Sequence, residues 1–286
     1  MKISVLTPTF NCASYIEKCI HSVLDQNYLD FEHIIVDGGS TDNTVQILTR
    51  YDHLKWISEK DNGQSDAMNK AFDMSSGDII VYCNGDDYFE PGIFEHVIKV
   101  FNRHTDSQII VGNLNNLILE STKEFITIPE VKASKVLLPF KYPFPYNPVS
   151  YFYKRTVQEH IGPFPIEEDY AMDYWFIIRA FSKFKVFKSE KTFGTFVRTG
   201  QNKTNAETID KNITLQLAYD YCKSSGISKI SWFIYNLTIH NVKKASRYIL
   251  TYLLFIILFP IFKRNEYTLK DLIKAGIRRS LYILKA

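Results

Sequence analysis

Cysteine is scarce in this chain of 286 residues. The four thiols belong to Cys12, Cys19, Cys83 and Cys222. They are too few for a dense disulfide framework, and they lack the paired C-x-x-C spacing of a zinc site. We therefore expect reduced cysteines, which are typical of a cytoplasmic protein.

Long apolar runs are missing near the start of the chain. The apolar residues that begin at Ile3 are interrupted at Pro8, too early for the apolar region of a signal peptide. Internal repeats and low-complexity tracts are absent as well. The hydrophobic fraction of 45% and the charged fraction of 23% exclude disordered and collagen-like classes. We expect a folded protein that is not exported.

The net charge of +3 hides an uneven distribution of basic residues. Residues 240–286 contain ten lysines and arginines against two acidic residues, whereas the rest of the chain is net acidic. A net acidic body argues against a nucleic-acid partner. Any attraction to a polyanion or an anionic membrane is therefore expected at the C-terminal end.

Short apolar strands alternate with amphipathic helices in the first third of the chain. This βαβ rhythm predicts an α/β fold with a mostly parallel, twisted sheet that is flanked by helices. The predicted strands are 2–7, 31–36, 55–58, 78–83 and 108–111.

Helix signals lie between these strands. Ser14 and Glu17 have the spacing of a capping box in front of the first helix. Gly77 follows the third helix at the place of a C-terminal stop, and another helix is predicted at 93–101.

The pattern changes at about residue 113. A proline-rich stretch leads to an aromatic strand at 149–153, and a helix is predicted at 169–184. Two short strands are predicted at 186–197, and the chain becomes helical from about residue 204. We interpret this part as a second lobe built onto the sheet. The predicted domains are 1–112, 113–225 and a helical tail at 226–286.

Two polar, turn-forming loops follow the first two strands. Because the carboxyl ends of parallel strands share one edge of a sheet, both loops are candidates for ligand binding. The alternative is that Asp37 only starts a turn and that Ser40 only caps a helix. Neither loop has the G-x-G-x-x-G or P-loop pattern, so hydride transfer and Walker-type chemistry are unsupported. The candidate residues in these loops are Thr7, Pro8, Thr9, Asn11, Asp37 and Gly38.

A third polar loop, Asn84, Gly85, Asp86 and Asp87, follows the fourth strand. Two adjacent carboxylates at the end of a buried strand are costly without a cation. Hard oxygen ligands of this kind suit Mg²⁺ or Mn²⁺ holding a diphosphate. The alternative is a surface Asn-Gly turn that happens to carry acids.

Four segments of the sequence together resemble the inverting family 2 glycosyltransferases of bacterial cell-surface polysaccharide synthesis. They are I-S-V-L-T-P-T-F-N, I-I-V-D-G-G-S-T-D-N-T, D-N-G-Q-S-D-A-M-N-K-A-F and G-D-I-I-V-Y-C-N-G-D-D. The resemblance implies a GT-A fold, a nucleoside-diphosphate sugar donor, commonly of uridine, and a divalent metal, Mg²⁺ or Mn²⁺.

The resemblance also implies roles for single residues. The first two loops, through Thr7, Pro8, Thr9 and Asp37, would line the nucleoside pocket. Asp66 and Asn69 would complete the donor site. Asp86 would contact the ribose and bind the metal, and Asp87 would bind the metal.

A weaker resemblance extends into the second lobe, through V-S-Y-F-Y-K-R, Gly162-x-Phe164 and A-M-D-Y-W-F-I-I-R. In that pattern Asp173 is the general base, which inversion by a single displacement requires for the acceptor hydroxyl. The alternative is an acid favoured by a helix N-terminus, which suits Glu167, Glu168 and Asp169 better. Two positions depart from many relatives, which carry a histidine near Pro148 and a glycine in place of Gln201.

The predicted function is the transfer of a sugar from a nucleotide sugar to a hydroxyl of a glycan or lipid-linked acceptor, for cell-envelope polysaccharide. One alternative is an inactive nucleotide-sugar-binding or scaffold protein with the same fold. A nucleotidyltransferase is a third possibility, but the basic, glycine-rich first loop that it usually has is missing. The aromatic residues Tyr151, Phe152, Tyr153 and Trp175 suit either a sugar subsite or the core.

The tail contains fifteen uncharged residues at 248–262. As a helix they would extend about 22 Å, which is short of the roughly 30 Å hydrocarbon core of a bilayer. Basic residues on both sides suit a helix that lies in the membrane interface. We therefore predict a cytoplasmic protein that is peripheral on the inner face of the cell membrane. A soluble helical hairpin or a dimer interface is the alternative.

Overall fold

The computed structural model describes residues 1–136, 142–167 and 171–200, together with Asn202 and positions 214, 217, 218, 220 and 221. The contacts divide the chain into two compact units, Met1–Leu217 and Ala218–Ala286. The features below belong to the first unit. The predicted tail at 226–286 lies outside the described residues.

Nine strands of the described chain form one sheet in the order β3-β2-β1-β4-β8-β6-β9-β5, with β7 also paired to β6. The β1–β4 half is parallel, and β8 joins it to the rest by antiparallel pairing on both sides. The five strands predicted in the first 112 residues are confirmed as β1, β2, β3, β4 and β6. The strands are β1 (Ile3–Thr9), β2 (Phe31–Asp37), β3 (Leu54–Ser58), β4 (Ile79–Tyr82), β5 (Tyr88–Phe89), β6 (Ile109–Ile118), β7 (Lys123–Thr127), β8 (Tyr151–Lys154) and β9 (Val186–Arg198).

Helices cover the sheet, as the alternating pattern predicted. A short 3₁₀ turn, Pro148–Ser150, leads into β8. The helices are α1 (Ile16–Leu24), α2 (Thr44–Leu48), α3 (Gln64–Met74), α4 (Ile93–Arg103), α5 (Ala133–Val136), α6 (Arg155–Ile161) and α7 (Met172–Lys183).

The core is built mainly from aliphatic side chains, with a cluster of aromatic rings among them. Phe89, Phe94 and Phe152 are buried and have ring centroids 5.2 to 5.9 Å apart. On α1, Ile16, Ile20 and Val23 recur at helical spacing and are buried, so this helix packs its apolar face inward. Burial of each such side chain contributes about 1.5–3 kcal/mol to folding.

Two local helix predictions are wrong. The residue before α1 is Tyr15, and no side chain caps the helix, so Ser14 and Glu17 do not form the capping box. Helix α3 ends at Met74, before Gly77. Gly77 is needed for close packing instead, because a Cβ there would lie 2.5 Å from Ser4 Oγ.

The prediction of two short strands at 186–197 is also wrong, since β9 is one strand of 13 residues. Its register against β6 shifts between Val111 and Leu114. A Cβ on Gly112 would overlap the ring of Phe193, so the absence of a side chain lets the ring pack directly against the backbone there.

The carboxyl ends of β1, β2 and β4 meet at one edge of the sheet. Thr9 pairs with Asp37 in register, and Gly38 N donates a hydrogen bond of 2.9 Å to Thr9 O. Gly85 N donates to Pro8 O at 3.3 Å, which ties the loop after β4 to β1. The three polar loops identified in the sequence therefore lie side by side.

Candidate active site

The loop after β2 is organised around the buried carboxylate of Asp37. Its Oδ2 accepts hydrogen bonds from Ser40 N at 2.9 Å, Gly39 N at 3.2 Å and Ser58 Oγ at 2.6 Å. Ser40 Oγ donates to Oδ1. Asp37 therefore does form a turn, which was the alternative considered for it. Its contact with a nucleoside stays a prediction.

The loop after β1 is fastened to this turn by Asn11. Asn11 N donates to Ser40 Oγ at 2.7 Å, and Asn11 Oδ1 accepts from Thr41 N at 2.9 Å. A Cβ on Gly38 would lie 2.7 Å from Asp61 Oδ2, so the lack of a side chain lets the loop after β3 approach. Asp61 is a neighbour of the site that the sequence did not single out.

Thr7, Pro8 and Thr9 are buried at the end of β1. The hydroxyl of Thr7 is hydrogen-bonded to His33 Nε2 at 2.9 Å. Burial, followed by the charge of His53, lowers the pKa of His33 to about 3, so this imidazole is neutral. Packing and this hydrogen bond fix β1 beneath the loops.

Helix α3 carries the next two predicted residues, which have different surroundings. Asp66 accepts hydrogen bonds from Asn62 N at 3.0 Å and Asn62 Nδ2 at 3.1 Å, with Lys70 Nζ at 3.4 Å. The Asn62 backbone N–H and the Lys70 charge lower the pKa of Asp66 and keep the carboxylate charged. Asn69 exchanges two hydrogen bonds, of 2.8 and 2.9 Å, with the backbone of Phe164. Asn69 thus joins α3 to the second lobe.

Asp86 is half-buried beside a cleft at the end of β4. Burial raises its pKa, and Asn202 Nδ2 donates to its Oδ2 at 2.8 Å, which opposes that rise. Asn202 was not identified from the sequence, because only the fold brings it to this carboxylate. The other residues that line the cleft are Ser14, Tyr15, Lys18, Leu117, Leu119 and Val197.

Asp87 is only 1% exposed, unlike its neighbour. Its Oδ2 accepts from Asn84 Nδ2 at 2.9 Å and Asn147 Nδ2 at 2.8 Å, and its Oδ1 accepts from Val197 N at 3.0 Å. Burial raises the pKa of Asp87 well above its ordinary value, and the charge of Asp86 raises it further. Gln64 Nε2 donates to Asn84 Oδ1 at 2.9 Å, which extends the network to α3.

These surroundings decide how the two carboxylates fit a divalent metal. Asp86 is an oxygen donor at the wall of a cleft, which suits Mg²⁺ or Mn²⁺. The fit of Asp87 is poor, because both of its oxygens face N–H donors inside the protein. The assignment of Asp87 as a metal ligand stays a prediction, and these contacts argue against it. Among the described residues, no group of three or more His, Cys, Asp or Glu side chains could hold a metal.

Asp173 lies in the first turn of α7. The Tyr151 hydroxyl donates to its Oδ1 at 3.2 Å. Burial raises the pKa of Asp173 to about 7, and the Tyr151 hydrogen bond opposes the rise. The residue as a whole is half-buried. A carboxylate with a pKa near neutrality can accept a proton from a hydroxyl.

Helices α3 and α7 meet beside this acid, where Ser65 Oγ donates to Met172 Sδ at 3.3 Å. Glu168 and Asp169, the acids weighed against Asp173, lie outside the described residues, and Glu167 is exposed. Tyr151, Phe152 and Tyr153 are at most 1% exposed and belong to the core. Trp175 is partly exposed, with the Arg179 guanidinium 4.3 Å from its ring.

Comparison with known proteins gives the same family over the first half of the chain. Residues 4–152 match the family model described as glycosyl transferase family 2. A PGL/p-HBAD biosynthesis glycosyltransferase of Mycobacterium tuberculosis is 30% identical over 185 residues, which are 63% of this chain and 69% of that protein. The chondroitin synthase of Pasteurella multocida is 34% identical over 103 residues, 35% of this chain and 11% of the synthase.

An uncharacterized glycosyltransferase of Nostoc sp. is 34% identical over 122 residues, which are 41% of this chain and 37% of the relative. The chain thus matches little more than a third of that relative. Among solved structures, Staphylococcus aureus TarS 1-349 in complex with UDP-GlcNAc has a TM-score of 0.64 and 17% identity, covering 95% of this chain and 77% of that chain. This likeness shows the GT-A fold predicted from the sequence. From the matching family model and the relatives, the chain belongs to glycosyl transferase family 2.

Proposed function

We propose that the protein is an inverting glycosyltransferase acting in cell-envelope polysaccharide synthesis. It takes a sugar from a nucleoside-diphosphate sugar and transfers it to a hydroxyl of a glycan or lipid-linked acceptor. Solved TarS structures contain UDP and UDP-GlcNAc, which supports a uridine donor. The name of the chondroitin synthase supports an acceptor that carries sugar.

The observation that carries this proposal is the environment of Asp173. Asp173 is half-buried in the first turn of α7 and accepts a hydrogen bond from Tyr151, and its pKa of about 7 lies close to the pH of the cytoplasm. In a single displacement, Asp173 takes the proton of the acceptor hydroxyl as that oxygen attacks the anomeric carbon. The bond to the diphosphate breaks on the opposite side, so the configuration at that carbon is inverted.

The donor is assigned to the edge formed by the three loops. Asp37 and Gly38 with Thr7, Pro8, Thr9 and Asn11 form the nucleoside side. Asp66 supplies a charged group at the start of α3, and Asn84, Gly85 and Asp86 form the diphosphate side. Lys18, in the same cleft as Asp86, adds a positive charge there.

Mg²⁺ or Mn²⁺ is the proposed cofactor, with Asp86 as its protein ligand. When bound, such an ion neutralises negative charge on the departing diphosphate. Gly85 keeps this loop close to β1, since a Cβ there would lie 2.6 Å from Thr9 Oγ1. The carboxylate is thereby held at the edge where the donor loops meet.

We assign the protein to the inner face of the cytoplasmic membrane as a peripheral protein. Among the described residues, the helices are all too short or too polar to cross a bilayer. The assignment itself depends on the sequence of the tail, in which basic residues flank the uncharged run at 248–262.

The test is release of UDP from UDP-sugars by the full chain with Mn²⁺, in the presence and absence of acceptor glycans. Asp173→Asn should lower turnover about 10²- to 10⁴-fold while leaving donor affinity nearly unchanged. Glu167→Gln, an exposed acid close in sequence, is the matched control. Donor binding without turnover across donors and acceptors would favour the inactive scaffold protein instead.

A further inference from the structure

The carboxylate of Asp87 is surrounded by hydrogen-bond donors. Its three partners, the side chains of Asn84 and Asn147 and the backbone of Val197, all present N–H groups within 3.0 Å. Amide N–H groups carry positive partial charge, so they attract a carboxylate and repel a cation. The chemistry of this pocket is that of an anion site, although the sequence pairs Asp87 with a predicted metal ligand.

Two of the three donors come from distant parts of the chain, whereas Asn84 lies in the same loop as Asp87. Asn147 lies 60 residues away in sequence and precedes the 3₁₀ turn, and Val197 lies 110 residues away in β9. Asn147 is itself fixed, because it is 3% exposed and its Oδ1 accepts from Val149 N at 3.0 Å. A displacement of Asp87 would break contacts to both distant segments.

The hydrogen bond between Asp87 and Val197 extends the contact of this segment with β9 beyond the paired residues of β5. Strand β5 pairs with β9 only through Tyr88 with Thr195 and Phe89 with Gly194. Beyond that point the Asp87 side chain accepts the Val197 N–H in place of a backbone carbonyl. The loop that carries Asp86 is thus fastened to β9 on the side where Val197 lines the cleft.

We propose that Asp87 is a positioning residue, which clamps the end of β4 to β9 and to Asn147 so that Asp86 alone faces the cation. The assignment rests on the proposed function, because it defines a role relative to the proposed metal. It predicts that Mn²⁺ binding depends on the hydrogen bond between positions 87 and 147. Which of the two positions carries the negative charge should not affect that binding.

A charge swap tests this directly. In the double variant Asp87→Asn with Asn147→Asp, the amide introduced at position 87 can donate to the carboxylate introduced at position 147, and its oxygen can still accept from Val197 N. Asn84, which donates to Asp87 Oδ2, keeps a partner by turning its amide so that its oxygen accepts from the new NH₂ group. Binding of Mn²⁺ with UDP is measured by electron paramagnetic resonance of free Mn²⁺. We expect the swap to keep the affinity within about threefold of wild type, Asp87→Asn alone to weaken it at least fivefold, and Asp86→Asn to abolish it. A swapped protein with the wild-type melting temperature but at least tenfold weaker Mn²⁺ binding would overturn the proposal.

If the swapped protein does not fold, Asn147→Ala tests whether Asp87 is a clamp or a metal ligand. A clamp predicts a lower melting temperature and at least fivefold weaker Mn²⁺ binding, because Asp86 loses its support. A ligand role for Asp87 predicts unchanged or tighter binding, and that result would refute the clamp.

Metal-free melting temperatures separate this inference from the proposed function. If the wild-type protein does not bind Mn²⁺ with UDP, the proposed cofactor is wrong, yet the clamp can still be tested. It then predicts that Asp87→Ala lowers the melting temperature by several degrees and that Asp86→Ala changes it little. Equal effects of the two variants would contradict the clamp.

Discussion

The hydroxyl of Tyr151 donates a hydrogen bond to Asp173 Oδ1 over 3.2 Å, from a strand in the core to the first turn of α7. Tyr151 is 1% exposed, so its position is set by the packing of β8. The hydrogen bond favours the charged form of Asp173 and opposes the effect of burial on its pKa. The core thereby adjusts the basicity of the proposed catalytic group.

Removing this hydroxyl should shift the pH profile. Without the hydrogen bond, Tyr151→Phe raises the pKa of Asp173 above about 7. The acid limb of kcat/KM should move to higher pH by roughly 0.5 to 1 unit, as expected for one hydrogen bond of about 1 kcal/mol. Tyr153→Phe is the control, because that hydroxyl donates to Gln158. Equal shifts in the two variants would show that Tyr151 has no specific effect.

Asp173 should also make stability depend on pH. Its pKa is about 7 in the folded protein and about 4 in an unfolded chain, so the folded state holds the proton more tightly between these values. The contribution of this group to the free energy of unfolding is therefore present at low pH and falls as pH rises from about 4 to about 7. In urea unfolding at about pH 5 and pH 7.5, Asp173→Asn should show a smaller loss of stability than wild type and than Glu167→Gln. An identical loss in all three proteins would contradict the raised pKa.

Removal of divalent metal should abolish transfer. Asp86 needs a cation to neutralise a diphosphate beside its own charge, so chelation should eliminate product formation, and added Mg²⁺ or Mn²⁺ should restore it. Product is measured by UDP release after exhaustive dialysis against chelator. Full activity of the dialysed enzyme would exclude the proposed cofactor.

The basic tail should bind anionic membranes. Full-length protein should sediment with vesicles of anionic phospholipid at low salt, and less of it with neutral vesicles or at high salt, because surface charges are then screened. A chain truncated after residue 240 should remain soluble and still bind the donor. Unfolding of the truncated protein would instead support packing of the tail on the catalytic part or on a second copy.

Predictions from the sequence succeeded where local pattern and tertiary structure agree. The apolar segments that became β1, β2, β3 and β4 are short, buried strands bounded by turn residues, and their parallel order follows from the helices between them. The capping box failed because the turn before α1 makes distant contacts instead. Ala13 N donates to Asp42 Oδ2 at 3.0 Å, and Cys12 N donates to Thr44 Oγ1 at 2.9 Å.

In the candidate active-site loops, too, the sequence pattern did not separate residues that differ only in their distant contacts. Asp86 and Asp87 are equivalent in a sequence pattern, since both are acids at the end of one strand. Their difference depends on Asn147 and Val197, which approach Asp87 only after β8 and β9 have joined the sheet. Asn202 reaches Asp86 from a similar distance in sequence, 116 residues away. Partners this remote leave no signal in the local pattern.

The paired hydrogen bonds between Asn69 and the Phe164 backbone have a kinetic consequence. Together with the contact of Ser65 to Met172, they couple α3, which carries proposed donor-site residues, to the helix that carries the proposed base. A bound donor that fixes the position of α3 would therefore also fix the position of Asp173 before the acceptor binds. We expect a compulsory order with the donor first, which product inhibition by UDP, competitive with the nucleotide sugar alone, would reveal.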